Sequence, residues 1–240
     1  VNHPLLRRMS IEAPGTYHHS MIVANLAAEA ASAVNANALL CRVGAYFHDV
    51  GKLVKPEYFI ENQGAYGNPH DRVNPSLSKL VIVSHVKEGL SIGKAYKLHE
   101  TILDFIPQHH GTSQLEFFYQ KALTLEEKED DVDKEVVQEE AYRYPGPKPQ
   151  TREAAIVMLA DAIEASSRSL EEPTHQRFKD LVYQIIHKKL FDGQLEETPL
   201  TLKDLDIMAE RFVAALASLS HGRVAYPDAS SLPTKKEKKV

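Results

Sequence analysis

His48 and Asp49 stand side by side in Phe47-His48-Asp49-Val50-Gly51-Lys52, an imidazole and a carboxylate at the expected end of an apolar helix. Adjacent donors at a helix end reach two neighbouring points in space, which is what a site holding two cations requires. Asp49 is the only carboxylate beside a ligand candidate, and it can offer one oxygen to each of two ions. Lys52, within about one helical turn of Asp49, is placed to neutralise a phosphate oxygen or assist a leaving group. Its plainer reading is a surface lysine.

The chain has 12 histidines, and His48, His85, His109 and His110 each follow an apolar run, read here as at or near helix ends. One such histidine is ordinarily a core or capping residue; four of them, with a His–Asp pair, point to ligation. Asp161 lies inside Met158-Leu159-Ala160-Asp161-Ala162-Ile163. A buried, unpaired carboxylate is costly, so a cation is its natural partner, unless it faces solvent or pairs with Arg168 or Lys148. His18 and His19 open another helix roughly 100° apart, so at most one faces a given site. Mixed His and Asp donors with open positions suit first-row transition ions, and no cysteine cage is available for structural zinc. Two such ions can clamp a phosphoryl group and generate hydroxide near neutral pH, so no serine or cysteine nucleophile is required.

The elements that must position these groups read as helices. Residues 17–33 are rich in strong helix formers, with Thr16 as the expected N-cap. Residues 37–47 form the apolar helix that delivers His48 and Asp49, with Gly51 stopping it. Residues 56–75 are irregular, and Pro75 opens a helix running to His85. A short helix over 98–108 ends in His109-His110-Gly111, with Gly111 a natural C′ residue and Pro107 marking a kink or boundary. Further helices are expected over 113–122 and, after a Pro-rich connector over 142–149, over 151–170, 174–190 and 201–219. Nothing alternates as a strand would, so the fold is all-α: a single bundle of about eight helices. The domain spans 1–124 and 141–226, interrupted by an acidic insert at 125–140 and followed by a disordered lysine-containing tail at 227–240.

A length of 240 residues is ample for one core, and the net charge of −5 argues against a long nucleic-acid footprint. A small anionic ligand needs only a few local cations. The single cysteine, Cys41, sits in an apolar run, excludes an intramolecular disulfide and reads as a small buried hydrophobe in a reduced setting. No apolar run approaches the roughly 20 residues of a membrane helix. The chain opens on Val1 rather than Met, which reads as a piece of something longer.

With those residues in view, the sequence resembles the HD-domain metal-dependent phosphohydrolase superfamily, which is defined by a His, an HD pair and a later Asp on an all-α fold. The closer resemblance is to the cytosolic domain of the seven-transmembrane HD family, the PgpH-type cyclic di-AMP phosphodiesterases. It is carried by EAPGTYHHS (12–20), FHDVGK (47–52), YFIENQ (58–63), NPHD (68–71), SHVKEG (84–89), QHHGT (108–112), YRYPGPKPQTREAAIVMLAD (142–161) and DGQLEETPLTLKDL (192–205).

The resemblance implies one metal on His19, His48, Asp49 and Asp161, and a second on Asp49, His85, His109 and His110, with Asp49 bridging. It implies two iron or manganese ions, hydrolysis of cyclic di-AMP to linear pApA by metal-activated water, and a cytosolic face behind a membrane region of the parent, the chain itself being soluble. Asp49 and Lys52 are the expected catalytic residues; Tyr144, Lys148 and Arg168 are the expected substrate contacts. Cyclic di-GMP relatives follow their paired histidines with Gly-Tyr-Pro, which is missing after His110. Two alternatives remain: a phosphohydrolase for cyclic di-GMP or mononucleotides, and a catalytically silent nucleotide-sensing module.

Overall fold

The computed structural model describes residues 2–64, 67–126 and 137–221. Most of the acidic stretch 125–140 and all of the tail 227–240 lie outside these residues. Among the described residues the fold is all-α, and the one β-type contact is an isolated antiparallel bridge between Gln114 and Arg143.

The chain order is α1 (Pro4–Glu12), α2 (Pro14–Ala33), α3 (Ala38–Phe47), α4 (Pro75–Ala95), α5 (Glu100–Leu103), α6 (Phe105–Gln108), α7 (Glu116–Glu126), α8 (Arg152–Ser167), α9 (His175–Phe191) and α10 (Leu202–His221). Eight of these have nine residues or more; α5 and α6 are single turns. The expected helix over 98–108 is therefore broken at Asp104. Pro107 explains the break, because it has no N–H for the Leu103 carbonyl and its ring crowds that carbonyl.

The helix α1 is absent from the sequence reading. It is marked by His3, whose Nδ1 accepts from Leu5 N at 3.2 Å, by Pro4 at the first helical position, and by buried Leu5, Leu6 and Met9. Its end at Glu12 runs almost directly into α2, so Ala13 takes the cap position of α2 and Thr16 lies inside the helix. Thr16 instead donates through Oγ1 to Glu61 at 3.1 Å.

The middle of the molecule is α2, an alanine-rich helix whose small side chains let α3, α8 and α10 approach closely. Val23, Leu26, Ala27, Ile156, Leu159, Phe212 and their neighbours make one continuous core. A second cluster of Leu5, Met9, Phe47, Val50, Leu53 and Ile106 ties α1 and α6 to the segment after α3. The irregular stretch between α3 and α4 contains short 3-10 turns at Val50–Val54, Pro56–Tyr58, Ile60–Asn62 and Pro69–Arg72. No helix among the described residues is long and apolar enough to cross a membrane.

Candidate metal centre

Helix α3 ends at Phe47, His48 keeps α-type torsions as its C-cap, and Asp49 turns the chain out of the helix. Gly51 does not stop α3; it lies in the following 3-10 turn, pressed onto α4. A Cβ there would stand 1.8 Å from the carbonyl oxygen of His85, so only glycine permits the approach that sets Asp49 against His85. His85 itself lies in mid-helix, not at a helix end: α4 continues ten residues beyond it to Ala95. His109 caps α6, and Gly111 at φ +55° turns the chain away directly after His110. His19 points inward from α2 while His18 is exposed.

Four of the buried imidazoles are oriented through Nδ1. His48 Nδ1 donates to Ala45 O at 2.7 Å, His85 Nδ1 to Ile82 O at 2.5 Å, and His109 Nδ1 to Ile106 O at 2.7 Å. His19 Nδ1 donates to the Glu164 carboxylate. Such bonds orient each ring so that its Nε2 faces inward. The Nε2 atoms of His48, His85 and His109 are buried and have no hydrogen-bond partner.

The carboxylate of Asp49 lies between them. Its Oδ1 is 3.6 Å from His85 Nε2 and 3.5 Å from His109 Nε2; its Oδ2 is 3.2 Å from His48 Nε2 and 3.6 Å from His19 Nε2. Neither oxygen makes a well-aligned hydrogen bond, although Lys52 Nζ forms an ion pair at 2.8 Å with Oδ2. Asp161 Oδ1 lies 2.9 Å from His19 Nε2 and 3.7 Å from His48 Nε2, and its Oδ2 lies 3.9 Å from His110 Nδ1. Two groups of four residues thus gather donor atoms within 4.8 Å of one another: His19, His48, Asp49 and Asp161 in one, and Asp49, His85, His109 and His110 in the other.

Burial acts to raise the Asp49 carboxyl, but His48 and Lys52 overcome it and hold the group well below the usual carboxylate range. Asp161 is held low in the same way, with His19 and His48 offsetting its burial. Burial pushes His85 down to about 4 and His110 well below the ordinary value, so both rings are neutral near pH 7. Burial opposes charge on His48 as well, yet Asp49 and Asp161 raise it to about 10. Four carboxylates, Asp49, Glu61, Asp161 and Glu164, converge here against Lys52, Arg168 and the His48 ring. Excess buried negative charge needs cations, and ionised carboxylates with buried, unpartnered imidazole nitrogens are the donors divalent metals take. The residues therefore fit divalent metal binding.

The shell behind the donors was not legible in the sequence. Glu164, on α8 one turn from Asp161, grips His19, and its other oxygen accepts from Arg168 at 2.9 and 2.6 Å. Lys52 is not a surface residue: it sits 2.8 Å from both Asp49 and Glu61. Asn62 accepts from Thr16 N at 3.1 Å and donates to its Oγ1 at 2.8 Å, latching this loop onto α2. Buried Gln194 accepts from Thr112 N at 2.9 Å, so the segment after α9 braces the His109-His110 turn. The one available signal was Glu164 itself, a second acid on an otherwise apolar face at helical spacing from Asp161.

The expected substrate contacts are each engaged within the fold. Tyr144 is buried and stacks on His110, with ring centroids 4.1 Å apart and planes 19° apart. The connector holds it there through Tyr144 N to Ser113 O at 3.0 Å. Lys148 pairs with Glu196 and Arg168 with Glu164, and the cavity beside Arg168 opens behind His19.

Residues 16–166 match the HD domain family. The cyclic-di-AMP phosphodiesterase PgpH of Bacillus subtilis (strain 168) is 51% identical over 229 residues, which are 95% of this chain and 31% of that protein. The chain thus spans about a third of the length of the curated relatives it matches. The crystal structure of the L. monocytogenes phosphodiesterase PgpH HD domain aligns with a TM-score of 0.84 at 44% identity, over 92% of this chain and 100% of that one. The same domain in complex with cyclic-di-AMP also aligns at 0.84 and 44%, over 91% and 98%.

Proposed function

The chain belongs to the HD domain family, and from that premise we propose that it hydrolyses cyclic di-AMP to linear pApA at a two-ion centre. The observation that carries the reading is the division of Asp49, whose two oxygens face two different histidine sets. One ion would be held by His19, His48, Asp49 and Asp161, the other by Asp49, His85, His109 and His110, with iron or manganese the ions that suit this donor set. When bound, such a pair supplies charge neutralisation for phosphate oxygens and a water acidic enough to attack phosphorus.

The chain's own residues do the rest. Asp49 stays ionised and aims one oxygen at each half of the centre. Lys52 is committed to Asp49 and Glu61, so its part is to hold Asp49 in place and add positive charge beside the phosphate. Burial pushes the Tyr144 hydroxyl up, so it remains protonated against the His110 side of the site. The substrate reading is supported by the names of the relatives and by the cyclic-di-AMP complex of the neighbouring structure. A membrane region in a longer parent, with this domain on the cytosolic face, is part of the same proposal.

The test is turnover of cyclic di-AMP with Mn²⁺ or Fe²⁺ by the wild-type chain and by His48→Ala and Asp161→Ala. Equal turnover by the variants sinks the site. Faster turnover of cyclic di-GMP or of mononucleotides than of cyclic di-AMP sinks the substrate.

A further inference from the structure

A cavity of about 490 Å³ lies between α8, α9 and the segment 113–116, beside the metal centre. Its wall on α8 includes Ala162, the neighbour of Asp161, and Ser166 one turn on; its opposite wall includes Ser113, three residues after His110. Pockets of this size hold nucleotide-sized ligands.

The charges lining it are nearly all matched. Glu116 pairs with Lys188 at 2.6 Å, and Asp192 with Arg143 at 3.0 Å. Lys189 is the exception. Its Nζ donates to the neutral Ser113 Oγ at 2.6 Å, and among the described residues no carboxylate stands within ion-pair distance of it. Burial pushes this ammonium down, with Asp161 and Asp192 near enough to oppose the shift. A partly buried cation with only a neutral partner is placed to take an anion. At the rim, Phe191 is 85% exposed, which leaves its ring open as a stacking face.

A cyclic dinucleotide carries two phosphodiesters, and only one can lie at the metal centre during a turnover. We propose that this cavity receives the second nucleotide, its uncleaved phosphate at Lys189 and its base on Phe191. The inference rests on the cyclic dinucleotide reading above. It also explains why Arg168 and Lys148 are poor candidates for that phosphate: their charges are already taken by Glu164 and Glu196.

The experiment uses metal-loaded enzyme and the variants Lys189→Gln and Phe191→Ala, with melting curves for folding. Calorimetry measures binding of a slowly cleaved phosphorothioate analogue of cyclic di-AMP. Kinetics compare cyclic di-AMP with bis(p-nitrophenyl) phosphate, a diester too small to fill the cavity. For each variant we expect binding of the analogue to weaken about tenfold, and the kinetic penalty for cyclic di-AMP to exceed that for the small diester by about tenfold. Unweakened binding overturns the subsite, as does an equal penalty on both substrates, which would place Lys189 in service of the centre or the fold. Wild-type enzyme that cleaves only the small diester overturns the function reading itself, a result distinct from failure of the variants.

Discussion

His19 and Glu164, 145 positions apart in the chain, share a buried hydrogen bond between Nδ1 and a carboxylate oxygen. That bond fixes which nitrogen of His19 faces Asp161, and Arg168 in turn anchors Glu164. Glu164 is therefore a positioning residue. Glu164→Gln is expected to weaken metal binding about 10- to 100-fold, the usual cost of losing such an outer partner. Competitive metal titration against a chelating dye checks it, and an unchanged affinity removes Glu164 from the account.

His48 and Asp49 are adjacent but unequal. Asp49 faces both histidine sets, whereas His48 Nε2 approaches only Asp49 Oδ2 and Asp161. Asp49→Ala is expected to empty both sites, and His48→Ala to empty first the one it shares with His19 and Asp161. Metal counts on the two purified variants decide this. Equal losses count against a shared carboxylate.

Gly51 is sterically fixed, since any Cβ would meet the His85 carbonyl. Gly51→Ala must lift the 3-10 turn from α4, at a cost of about 1–3 kcal/mol. It should also draw Asp49 away from His85. A lowered Tm together with reduced metal uptake is the expected pair of results, and a variant with wild-type values in both measurements contradicts the packing described.

Cys41 is fully buried, and burial, reinforced by the charge of Glu153, pushes its thiol from 9.0 up to about 12. The folded chain then keeps a proton that the unfolded chain releases. This contribution is fully present below about pH 9 and is lost as pH rises toward about 12, at up to ~1.4 kcal/mol per pH unit. Denaturation of wild type and Cys41→Ala across that range should show the difference narrowing with pH. Native protein at pH 7 should resist iodoacetamide, and rapid labelling without denaturant would refute the burial argument.

Much of the fold was legible because helix signals are local. Asn37, Thr151 and Thr174 cap α3, α8 and α9 as their residue types dictate. The apolar composition of α2 and α8 announced helices buried over most of their surface. Where the reading failed, a tertiary contact had overruled a local signal. Gly51 resembles a helix stop, but its conformation answers to α4; Thr16 resembles an N-cap, but α1 occupies the space before α2 and Glu61 takes its hydroxyl.

The same division holds for the centre. Residue type alone singled out His48, Asp49, His85, His109, His110 and Asp161, because apolar runs rarely carry such groups without a use. Choosing His19 over His18 needed the resemblance, since both begin one helix. The sequence could not reveal that Lys52 is locked between Asp49 and Glu61, or that Lys148 is already paired while Lys189 is not. Those facts depend on which side chains meet across more than a hundred residues of chain. Helical periodicity decides the face a residue occupies, and packing alone decides what that face meets.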